Sequence, residues 1–373
     1  MEAIAYLVNT FLRKSEWFIY DQVKAIKNFQ VEVLAREYIN REIFPYDKVN
    51  YLFKTPSLKE YYSLLKYTLF CDVYYFSEVI NRKNIKLIHA HFGPNGVWGL
   101  EVKRKNKLPL IITFHGHDIT RLPKFVFYPP AWFHYFLKFE DLKKETELFL
   151  AVSNFIAKKL VEKGFPKEKI KTHYLGIKIE KYEISKTKEK IILTVGRLVE
   201  KKGTEYLIRA MVKIKEKTPN AMLYICGDGP LKNYLLKLTK ELRLETNILF
   251  LGWQKREDVF KLMQKSAVFV LPSITAKDGD AEGLPTVILE AMLHQLPVVG
   301  SMIDGISEAV IDKETGFLVP ERDVDQLAEK ILILLQDLSL AEKMGKKGRQ
   351  FVEEKFNLDK QIEKLESIYR EFL

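Results

Sequence analysis

The sequence predicts an α/β protein in which two parallel, doubly wound sheets form two domains. Short apolar runs alternate with segments of helical periodicity along most of the chain. Strands that are apolar on both faces and separated by helices are typical of parallel sheets. These runs fall into two series, and the length of 373 residues suits about two domains of roughly 150 residues each.

The first series of strands lies in the N-terminal half. Each apolar run is short enough for a buried strand and is followed by enough residues for a crossover helix. The predicted strands are residues 4–8, 31–35, 86–89 and 110–113.

The second series begins after residue 190 and follows the same pattern. Its predicted strands are residues 191–195, 222–226, 248–251, 268–271 and 298–299. Because ligands bind at the carboxyl ends of the strands in such folds, the residues just after each strand are the candidates for function.

A charged stretch at residues 179–190 separates the two series, lacks both apolar patterns and is predicted as the linker. Farther along, residues 351–373 indicate two helical pieces around Asn357. We predict an N-terminal domain of residues 1–178 together with about residues 356–373, and a C-terminal domain of residues 179–355. The assignment of the last helix to the N-terminal domain comes from the family resemblance given below.

Cysteine content and hydropathy argue against several classes of protein. Cys71 and Cys226 are the only cysteines and stand outside any CxxC pattern, which argues against a disulfide framework or a cysteine zinc site and fits a reducing compartment. No apolar run reaches the roughly eighteen residues that a spanning helix needs. The apolar residues 3–8 precede the first basic residue, Arg13. We therefore expect neither a signal peptide nor a transmembrane segment, and a cytoplasmic location.

The chain carries 60 Lys and Arg against 49 Asp and Glu, a net charge of +11 at pH 7. Such an excess fits a nucleic-acid partner, an anionic membrane surface, a phosphorylated substrate or a lysine-rich solvated surface. The basic residues are interspersed with acidic ones along the whole chain, and no zinc-finger or RNP-like motif is present. We therefore expect no nucleic-acid partner.

Glycine and basic residues follow the first strand of the C-terminal half. Gly196 and Arg197 come directly after that strand, and Lys202 and Gly203 precede a helical segment. An arginine and a lysine near a helix N-terminus suit a diphosphate, and glycine lets a ligand approach the backbone. The alternative is a surface loop with scattered positive charge. Residues 227–230 (GDGP) are a weaker signal, because a plain turn uses the same residues.

Two glutamates near a helix start give the strongest signal. Glu282 lies on the loop after residues 268–271, and Pro285 fits the first turn of a helix whose early amides can bind an anion. Glu290 lies farther inside that apolar helix, so it needs partners: either sugar or ribose hydroxyls, or a buried Lys or Arg. A hydrolase pair or a metal site would also use two carboxylates. No convincing cluster of metal ligands stands nearby in the sequence, so we expect no metal.

With these residues the sequence resembles glycosyltransferase family 4, a large family of retaining enzymes with the GT-B fold. Glu282 and Glu290 match its E-x7-E pattern, and the likeness extends over nearly the whole chain. Four segments look most similar to enzymes of exopolysaccharide and colanic-acid-type biosynthesis: residues 15–18 (SEWF), 89–93 (HAHFG), 114–118 (FHGHD) and 278–285 (DGDAEGLP). The other matching segments are Gly196-Arg197, Lys202-Gly203, Asp304-Gly305-Ile306, Thr315-Gly316, Ala151-Val152-Ser153 and Leu175-Gly176.

The resemblance implies two Rossmann-like domains that face a cleft, with the last helix crossing back to the N-terminal domain. It implies a retaining hexosyltransferase that takes a nucleotide-sugar donor and acts without a metal or other cofactor. The sugar would go to a glycan or lipid-linked acceptor in cell-surface polysaccharide synthesis. An epimerase or a phosphorylase on the same architecture is the alternative function.

The resemblance also assigns roles to individual residues. Glu282 and His115 would act at the donor sugar, Glu282 near its reacting carbon and His115 as a hydrogen-bond partner. Glu290 would bind the nucleotide ribose. Arg197, Lys202 and the amides of Gly283 and Leu284 would bind the donor diphosphate, Gly252 and Trp253 would lie near the base, and Ser15, Glu16 and Asp118 would lie on the acceptor side.

One segment departs from the family pattern. Many relatives carry a glycine-rich loop after the first strand, whereas here Val8 is followed by residues 9–12 (NTFL), without glycine. The acceptor side is therefore less well defined than the donor side. At the end of another strand, His89 and His91 are expected to be structural.

An aromatic segment follows the FHGHD motif. Eight of the fifteen residues 125–139 are Phe, Tyr or Trp. Such a segment suits a lipid-linked acceptor or a bilayer interface, and the alternative is that its rings pack a helix onto the N-terminal core. The neighbouring Lys124, Lys138, Lys143 and Lys144 suit peripheral contact with anionic lipid at the cytoplasmic face of the membrane.

Overall fold

The computed structural model of the chain describes residues 1–53, 57–121, 130–180 and 188–373. The chain divides into two compact units, Met1–Lys178 with Leu358–Leu373 and Ile179–Asn357, which we call the N-unit and the C-unit. Part of the predicted linker, residues 181–187, lies outside the described residues.

The N-unit is built on a seven-stranded parallel sheet with the strand order β3-β2-β1-β4-β5-β6-β7. Its strands are β1 (Ala3–Phe11), β2 (Gln30–Tyr38), β3 (Val49–Tyr51), β4 (Ile85–His91), β5 (Leu110–Phe114), β6 (Leu148–Ala151) and β7 (Ile170–Thr172). The four predicted strands are present as β1, β2, β4 and β5, whereas the short β3, β6 and β7 were not predicted.

Helices connect these strands and cover the sheet. They are α1 (Trp17–Ala25), α2 (Leu58–Phe70), α3 (Tyr74–Lys83), α4 (Gly93–Asn106), α5 (His117–Thr120), α6 (Pro130–Leu137), α7 (Phe139–Glu145) and α8 (Asn154–Glu162). The first six residues of β1 are all buried, which explains why this strand has a continuous apolar run rather than an alternating pattern. Each fully buried Leu or Ile contributes about 1.5 to 3 kcal/mol.

The C-unit repeats this architecture with six parallel strands in the order β10-β9-β8-β11-β12-β13. The strands are β8 (Ile191–Val195), β9 (Met222–Cys226), β10 (Ile248–Gly252), β11 (Val268–Leu271), β12 (Val298–Ser301) and β13 (Gly316–Val319). All five predicted strands are present, and β13 was not predicted. The helices are α9 (Thr204–Lys217), α10 (Lys232–Glu241), α11 (Arg256–Lys265), α12 (Thr286–Leu293), α13 (Ile306–Ala309), α14 (Val324–Gln336) and α15 (Leu338–Lys355).

The last helix, α16 (Leu358–Arg370), packs on the N-unit although it follows the C-unit in sequence. Its first residue donates a backbone hydrogen bond to the carbonyl of Ile177 at 3.0 Å. Near its end, the buried Tyr369 hydroxyl lies 2.8 Å from the Tyr6 hydroxyl on β1. The return of the last helix, which the resemblance implied, is confirmed. In the described part of the chain, no helix is both long enough and apolar enough to cross a membrane.

Candidate functional site

The strand order of the C-unit brings two loops together. Because β8 and β11 pair side by side, the loop after β8 and the loop after β11 leave the same edge of the sheet, at the point where the strand order reverses. This is the position at which doubly wound folds bind ligands. Lys202 comes from the first loop and Glu282 from the second, and Lys202 Nζ lies 2.7 Å from Glu282 Oε1.

The Lys202 and Glu282 side chains form a largely buried ion pair, with exposed fractions of 16% and 8%. The Ser273 hydroxyl also donates to Glu282 Oε1, at 3.3 Å. Burial alone would raise the pKa of Glu282, but the positive charges of Lys202 and Lys201 outweigh it and hold that pKa below its usual value. Glu282 is therefore a carboxylate at neutral pH and not a proton donor.

A second ion pair lies beside the first and has no assigned role in the sequence prediction. Lys201 Nζ lies 3.0 Å from Asp280 Oδ1, and both side chains are mostly buried. Burial opposes the charge of Lys201, but Glu282 and Asp280 outweigh it and raise the pKa of the amine. The only sequence signal for this pair is its position, with Lys201 next to Lys202 and Asp280 two residues before Glu282.

Arg197 and the backbone amides supply further anion-binding groups on the same two loops. Arg197 is exposed, and within the described ranges its guanidinium forms no hydrogen bond or ion pair. The amides of Gly283 and Leu284 likewise donate to no group in the described part of the chain. These donors are therefore available to an anion without first breaking an internal bond.

Two glycines hold the loops of the site against each other. Gly203 has φ +62°, and a Cβ there would lie 1.8 Å from the carbonyl oxygen of Pro272. A Cβ on Gly305 would lie 1.8 Å from the carbonyl oxygen of Gly283, and the Gly305 amide donates to the Glu282 carbonyl at 3.1 Å. At these positions glycine permits backbone to approach backbone. At Gly196, by contrast, a Cβ would press on Lys202 at 3.2 Å, so this glycine makes room for the lysine.

Glu290 lies on α12, which begins at Thr286, with Pro285 one position earlier as the N-cap. The carboxylate pairs with Arg256, whose guanidinium reaches Glu290 Oε1 at 3.1 Å and donates through Nε at 3.2 Å. Arg256 is the first residue of α11 and was not predicted as a site residue. Of the two partners considered for Glu290, the structure thus supplies the buried arginine.

The predicted base-side residues lie at the end of β10, two strands away from β8. Gly252 has φ +66°, and a Cβ there would meet nothing within 4 Å. Its carbonyl accepts a hydrogen bond from the Gly227 amide at 2.7 Å. The Trp253 side chain is exposed, so it presents an aromatic surface on the same edge of the sheet.

In the N-unit, His115 follows β5 and lies against the end of β4. Its Nε2 is 3.1 Å from Nδ1 of His91. The rings of Phe92 and Phe18 pack on His115 with centroid distances of 4.4 and 4.9 Å, so the SEWF, HAHFG and FHGHD segments meet here. Burial lowers the pKa of His115 well below its usual value and that of His91 to about 3, so both rings are neutral at pH 7.

Asp118 fixes the loop that carries His115. The buried carboxylate accepts hydrogen bonds from the amides of Gly116 at 2.7 Å, Gly93 at 3.0 Å and His115 at 3.1 Å. Burial raises the pKa of Asp118 to about 6, although these amide bonds oppose the rise. Its contacts in the structure are therefore with backbone amides of its own loop and of α4.

The other predicted acceptor-side residues precede α1. Ser15 is exposed, and Glu16 Oε2 accepts a hydrogen bond from the Arg13 amide at 2.9 Å. Burial raises the pKa of Glu16. The missing glycine-rich loop also has an explanation, because β1 continues to Phe11 and pairs there with Tyr38 of β2.

The aromatic segment is partly outside the described residues, which begin again at residue 130; Lys124 and residues 125–129 are not described. On α6, Tyr135 is buried whereas Phe133 and Phe136 are exposed. The buried Tyr135 fits the interpretation in which rings pack on the N-terminal core, and the lipid interpretation stays a prediction. Across the described ranges, no group of three or more His, Cys, Asp or Glu side chains is placed to bind a metal ion.

Two family models together match most of the chain. Residues 177–351 match the family described as "Glycosyl transferases group 1", and residues 16–181 match "Glycosyltransferase Family 4". The chain belongs to glycosyltransferase family 4. The matches divide close to the boundary between the N-unit and the C-unit.

Two curated glycosyltransferases are 32% identical to the chain. One is glycosyltransferase WcaL of Escherichia coli K12, which is named for colanic acid biosynthesis and aligns over 277 residues. The other is the amylovoran biosynthesis glycosyltransferase AmsK of Erwinia amylovora, which aligns over 275 residues. Each alignment covers 72% of this chain and 66% of the relative, slightly less than two thirds of its length.

A solved structure confirms the fold. HepE (Alr3699) of Anabaena, crystallised with UDP and glucose, superposes on the whole chain with a TM-score of 0.80, at 20% identity and with 100% of both chains covered. The two Rossmann-like parallel sheets of a GT-B glycosyltransferase are therefore present.

Proposed function

We propose that this family 4 glycosyltransferase is a retaining hexosyltransferase that uses a nucleotide-diphosphate sugar. The observation that carries the proposal is a group of charged residues on the loops after β8 and β11, which we call the cradle: Arg197, Lys201, Lys202, Asp280 and Glu282. Within it, Lys202 and Glu282 meet at the strand-order reversal. A diphosphate next to a sugar needs cationic and amide donors at one end and a hydroxyl acceptor at the other. Lys202, Arg197 and two amides supply the donors, and Glu282 supplies the acceptor.

The leaving diphosphate would be stabilised by fixed charges of the protein. As the bond between the sugar carbon and the phosphate oxygen breaks, negative charge grows on the phosphate. Lys202 is held by its ion pair and the amides of Gly283 and Leu284 by the backbone, so these donors would need little rearrangement to stabilise that charge, and the exposed Arg197 would add a further cation. In this proposal no metal is required.

Retention is proposed to follow front-face attack. The acceptor oxygen forms its bond to the sugar carbon on the face from which the diphosphate departs, and the acceptor proton passes to an oxygen of the departing phosphate. Glu282, ionised because Lys202 and Lys201 lower its pKa, orients the sugar hydroxyls and supports positive charge on the ring. An ionised carboxylate without a proton cannot act as the acid, and in the front-face route proposed here it supports the ring electrostatically and forms no covalent bond to the sugar.

The ribose is proposed to bind at Glu290. Arg256 holds that carboxylate at 3.1 Å, which fixes its position on α12 and leaves it able to accept further hydrogen bonds. The base would then lie toward Gly252 and Trp253. The role of His115 at the donor sugar and the acceptor-side roles of Ser15, Glu16 and Asp118 stay predictions.

The substrate class is proposed from the relatives. HepE was crystallised with UDP and glucose, which favours a UDP-sugar donor. WcaL and AmsK are named for colanic acid and amylovoran biosynthesis, which favours a glycan or lipid-linked acceptor in cell-surface polysaccharide synthesis. An epimerase or a phosphorylase would share the diphosphate cradle, and the product separates them, since only a transferase releases nucleoside diphosphate together with a new glycoside.

Two experiments test the proposal. A thermal-shift screen of UDP-, GDP- and ADP-sugars identifies the donor, since a ligand that binds only the folded state raises its Tm. Nucleotide affinity and transfer are then measured for Arg197→Ala and Glu290→Ala, with Arg209→Ala as the control because Arg209 pairs with Glu205 on the same helix, α9. Near-normal affinity and transfer in both site variants would refute the donor site.

Peripheral attachment to an anionic membrane is proposed at α2 and α6. His134 Nε2 lies 2.9 Å from the Thr68 carbonyl and joins the two helices. Lys66 Nζ lies over the Tyr62 ring at 4.6 Å, so cationic amines and aromatic rings stand together, as at bilayer interfaces. The exposed apolar side chains of this surface are Leu58, Tyr61, Tyr62, Leu65, Leu69, Phe70, Phe133, Phe136 and Leu137.

Sedimentation with vesicles tests the attachment. We expect binding to vesicles that contain phosphatidylglycerol at low salt, and little binding to neutral vesicles. The double variant Leu65→Ser and Phe70→Ser should lose it, whereas Leu338→Ser, which removes a 65% exposed leucine of the C-unit, should not. Equal binding by both variants, or none by the wild type, would refute the membrane surface.

A further inference from the structure

His91 and His115 share one hydrogen bond and leave one nitrogen each on the outside of the pair. The shared bond joins His91 Nδ1 and His115 Nε2 at 3.1 Å. The outer nitrogens are His91 Nε2 and His115 Nδ1. Neither outer atom is accessible to solvent, and among the described residues neither has a hydrogen-bond partner. Buried polar atoms of this kind are rare in folded proteins, so the pair points to a ligand group.

The number of protons on the pair restricts its states. Two neutral imidazoles carry two protons on four nitrogens, and the shared bond uses one of them. If His91 donates, its Nε2 is an acceptor and His115 carries its proton on Nδ1. If His115 donates, its Nδ1 is an acceptor and His91 carries its proton on Nε2. In either state both rings are the same tautomer, and the outer nitrogens are one donor and one acceptor.

The neighbouring His89 shows the contrast. Its Nδ1 lies 2.6 Å from the Tyr369 hydroxyl and its Nε2 lies 2.6 Å from the Thr113 hydroxyl. Tyr369 in turn contacts Tyr6, whose hydroxyl donates to Gln22 Oε1 at 3.1 Å. Following the donors along this chain puts the proton of His89 on Nδ1. His89 is therefore a fully bonded structural residue, as predicted, whereas His91 is not.

We propose that His91 is a positioning residue that sets the tautomer of His115, so that the outer nitrogens present one donor and one acceptor to hydroxyl groups of a bound sugar. A hydroxyl both donates and accepts, so it is the group that suits either state. His91 stacks between His89 and His115, with centroid distances of 4.4 and 5.3 Å, and this stacking keeps the shared bond in place. That the ligand is a sugar rests on the proposed function, while the coupling of the tautomers does not.

The coupling has a direct consequence for ligand binding. A ligand oxygen that accepts from His115 Nδ1 requires that His91 donate into His115 Nε2. A ligand hydroxyl that donates to His115 Nδ1 requires the reverse. When a ligand makes His115 Nδ1 a donor, His91 Nε2 becomes an acceptor, and when it makes His115 Nδ1 an acceptor, His91 Nε2 becomes a donor.

Nitrogen-15 NMR of histidine side chains tests the proposal in the intact protein without substrate, because the protonated and unprotonated ring nitrogens have distinct shifts and the chain has only seven histidines. At pH 7 we expect His91 and His115 to be neutral and to carry the proton on the same-named nitrogen. In His91→Phe, which removes the hydrogen bond and keeps a ring, His115 is no longer coupled to a second imidazole, so its tautomer ratio should move away from the wild-type value toward the one that its own surroundings favour. His91→Asn, which keeps an amide that can donate to or accept from His115 Nε2, should keep that nitrogen hydrogen-bonded, as its shift will show.

Thr113→Val is the matched control. It removes the hydroxyl bonded to His89 and leaves the His91 and His115 pair intact, so it should change the signals of His89 and not those of His115. Opposite tautomers in the wild type, a charged His115 at pH 7, or an unchanged ratio in His91→Phe would overturn the proposal. Should His91→Phe fail to fold, the wild-type and His91→Asn spectra still decide.

Kinetics show whether the tautomer matters for transfer. With the donor found in the thermal-shift screen, we expect His91→Phe to lower kcat/KM about tenfold, as for a lost hydrogen bond to the substrate, and His91→Asn to restore most of it. An unchanged kcat/KM in a variant whose His115 tautomer has shifted would refute the ligand contact. A wild-type protein without transfer activity would count against the proposed function and leave the tautomer result standing.

Discussion

Replacing Lys202 by methionine is expected to leave Glu282 as a buried carboxylate without its main partner and to destabilise the C-unit at neutral pH. In the wild type the two side chains lie 2.7 Å apart and are 16% and 8% exposed. Methionine retains most of the aliphatic side chain, so the change in packing is small. Glu282 loses the larger of two compensating charges, since Lys202 lowers its pKa more than Lys201 does.

The expected magnitude follows from the burial. Removing one partner of a buried ion pair typically costs about 3 to 5 kcal/mol. We take the lower end, about 3 kcal/mol, because both side chains keep some exposure and Lys201 still faces the carboxylate. For a unit of this size the loss corresponds to a Tm about 6 to 12 °C lower.

The pH dependence of the stability loss distinguishes a buried unpaired carboxylate from a simple packing defect. In the wild type the folded-state pKa of Glu282 is below 4.5, so the group stabilises the fold above that pH and loses this effect as the pH falls. In Lys202→Met, burial dominates and raises the pKa above 4.5. The destabilisation is then fully present above the raised pKa and is relieved by protonation below it.

Thermal unfolding at pH 5 and pH 7.5 measures the effect. Lys202→Met should lose less stability at pH 5 than at pH 7.5. Adding Glu282→Gln should recover part of the loss at pH 7.5, because the double variant has no buried unpaired charge. Lys213→Met is the control, since Lys213 pairs with Asp325 at the exposed surface, and it should change stability by less than about 1 kcal/mol. An equal loss at both pH values, unrelieved in the double variant, would refute the reasoning.

Three further outcomes are expected. Asp118→Asn should lower stability, because its amide nitrogen cannot accept a backbone N–H. It should also remove a pH dependence: the pKa of Asp118 is raised to about 6 by folding, so the wild type loses stability as the pH rises from about 4 to 6, whereas the variant should not. Urea unfolding over that pH range measures both effects. Gly305→Ala places a methyl group 1.8 Å from Gly283 O, so it should displace the Gly283 amide and weaken nucleotide-sugar affinity in calorimetry about tenfold, while a normal affinity would show that the loop adapts. Wild-type protein should bind a dideoxyribose nucleotide about tenfold more weakly than the ribose form, and Glu290→Gln should largely lose this discrimination if the carboxylate binds the ribose.

The strands could be predicted from the sequence wherever an apolar run was bounded by helical segments. β1 was predicted too short because its last residues include Asn9 and Thr10, whose polar side chains bond to Tyr67 and Glu37. β6 and β13 have four residues each, but so do β11 and β12, which were predicted, so length alone does not account for the two omissions. In β13, Gly316 lowers the strand propensity and is present because a Cβ would lie 2.0 Å from the Val298 carbonyl oxygen.

The site could be predicted as a set of positions but not as a set of contacts. The rule that ligands bind after the strands selected Lys202, Glu282 and Glu290. Which charges pair depends on strand order, because residues 80 positions apart meet only when β8 lies beside β11. Arg256 had no signal at all, since an arginine at the start of a polar helix is ordinary. Only the structure, in which α11 places Arg256 next to Glu290, identifies it as a site residue.

The ion pairs also bear on the meaning of the net charge. The cradle holds three cations, Arg197, Lys201 and Lys202, against two carboxylates, Asp280 and Glu282, which leaves one net positive charge out of +11. In the proposed function, a diphosphate would be bound mainly by short contacts near the largely buried Lys201 and Lys202, which salt screens weakly. Charges spread over an exposed surface are screened within about 8 to 10 Å. Raising the ionic strength should thus release the protein from anionic vesicles while donor affinity changes little, and a parallel loss of both would mean that the excess charge serves the donor.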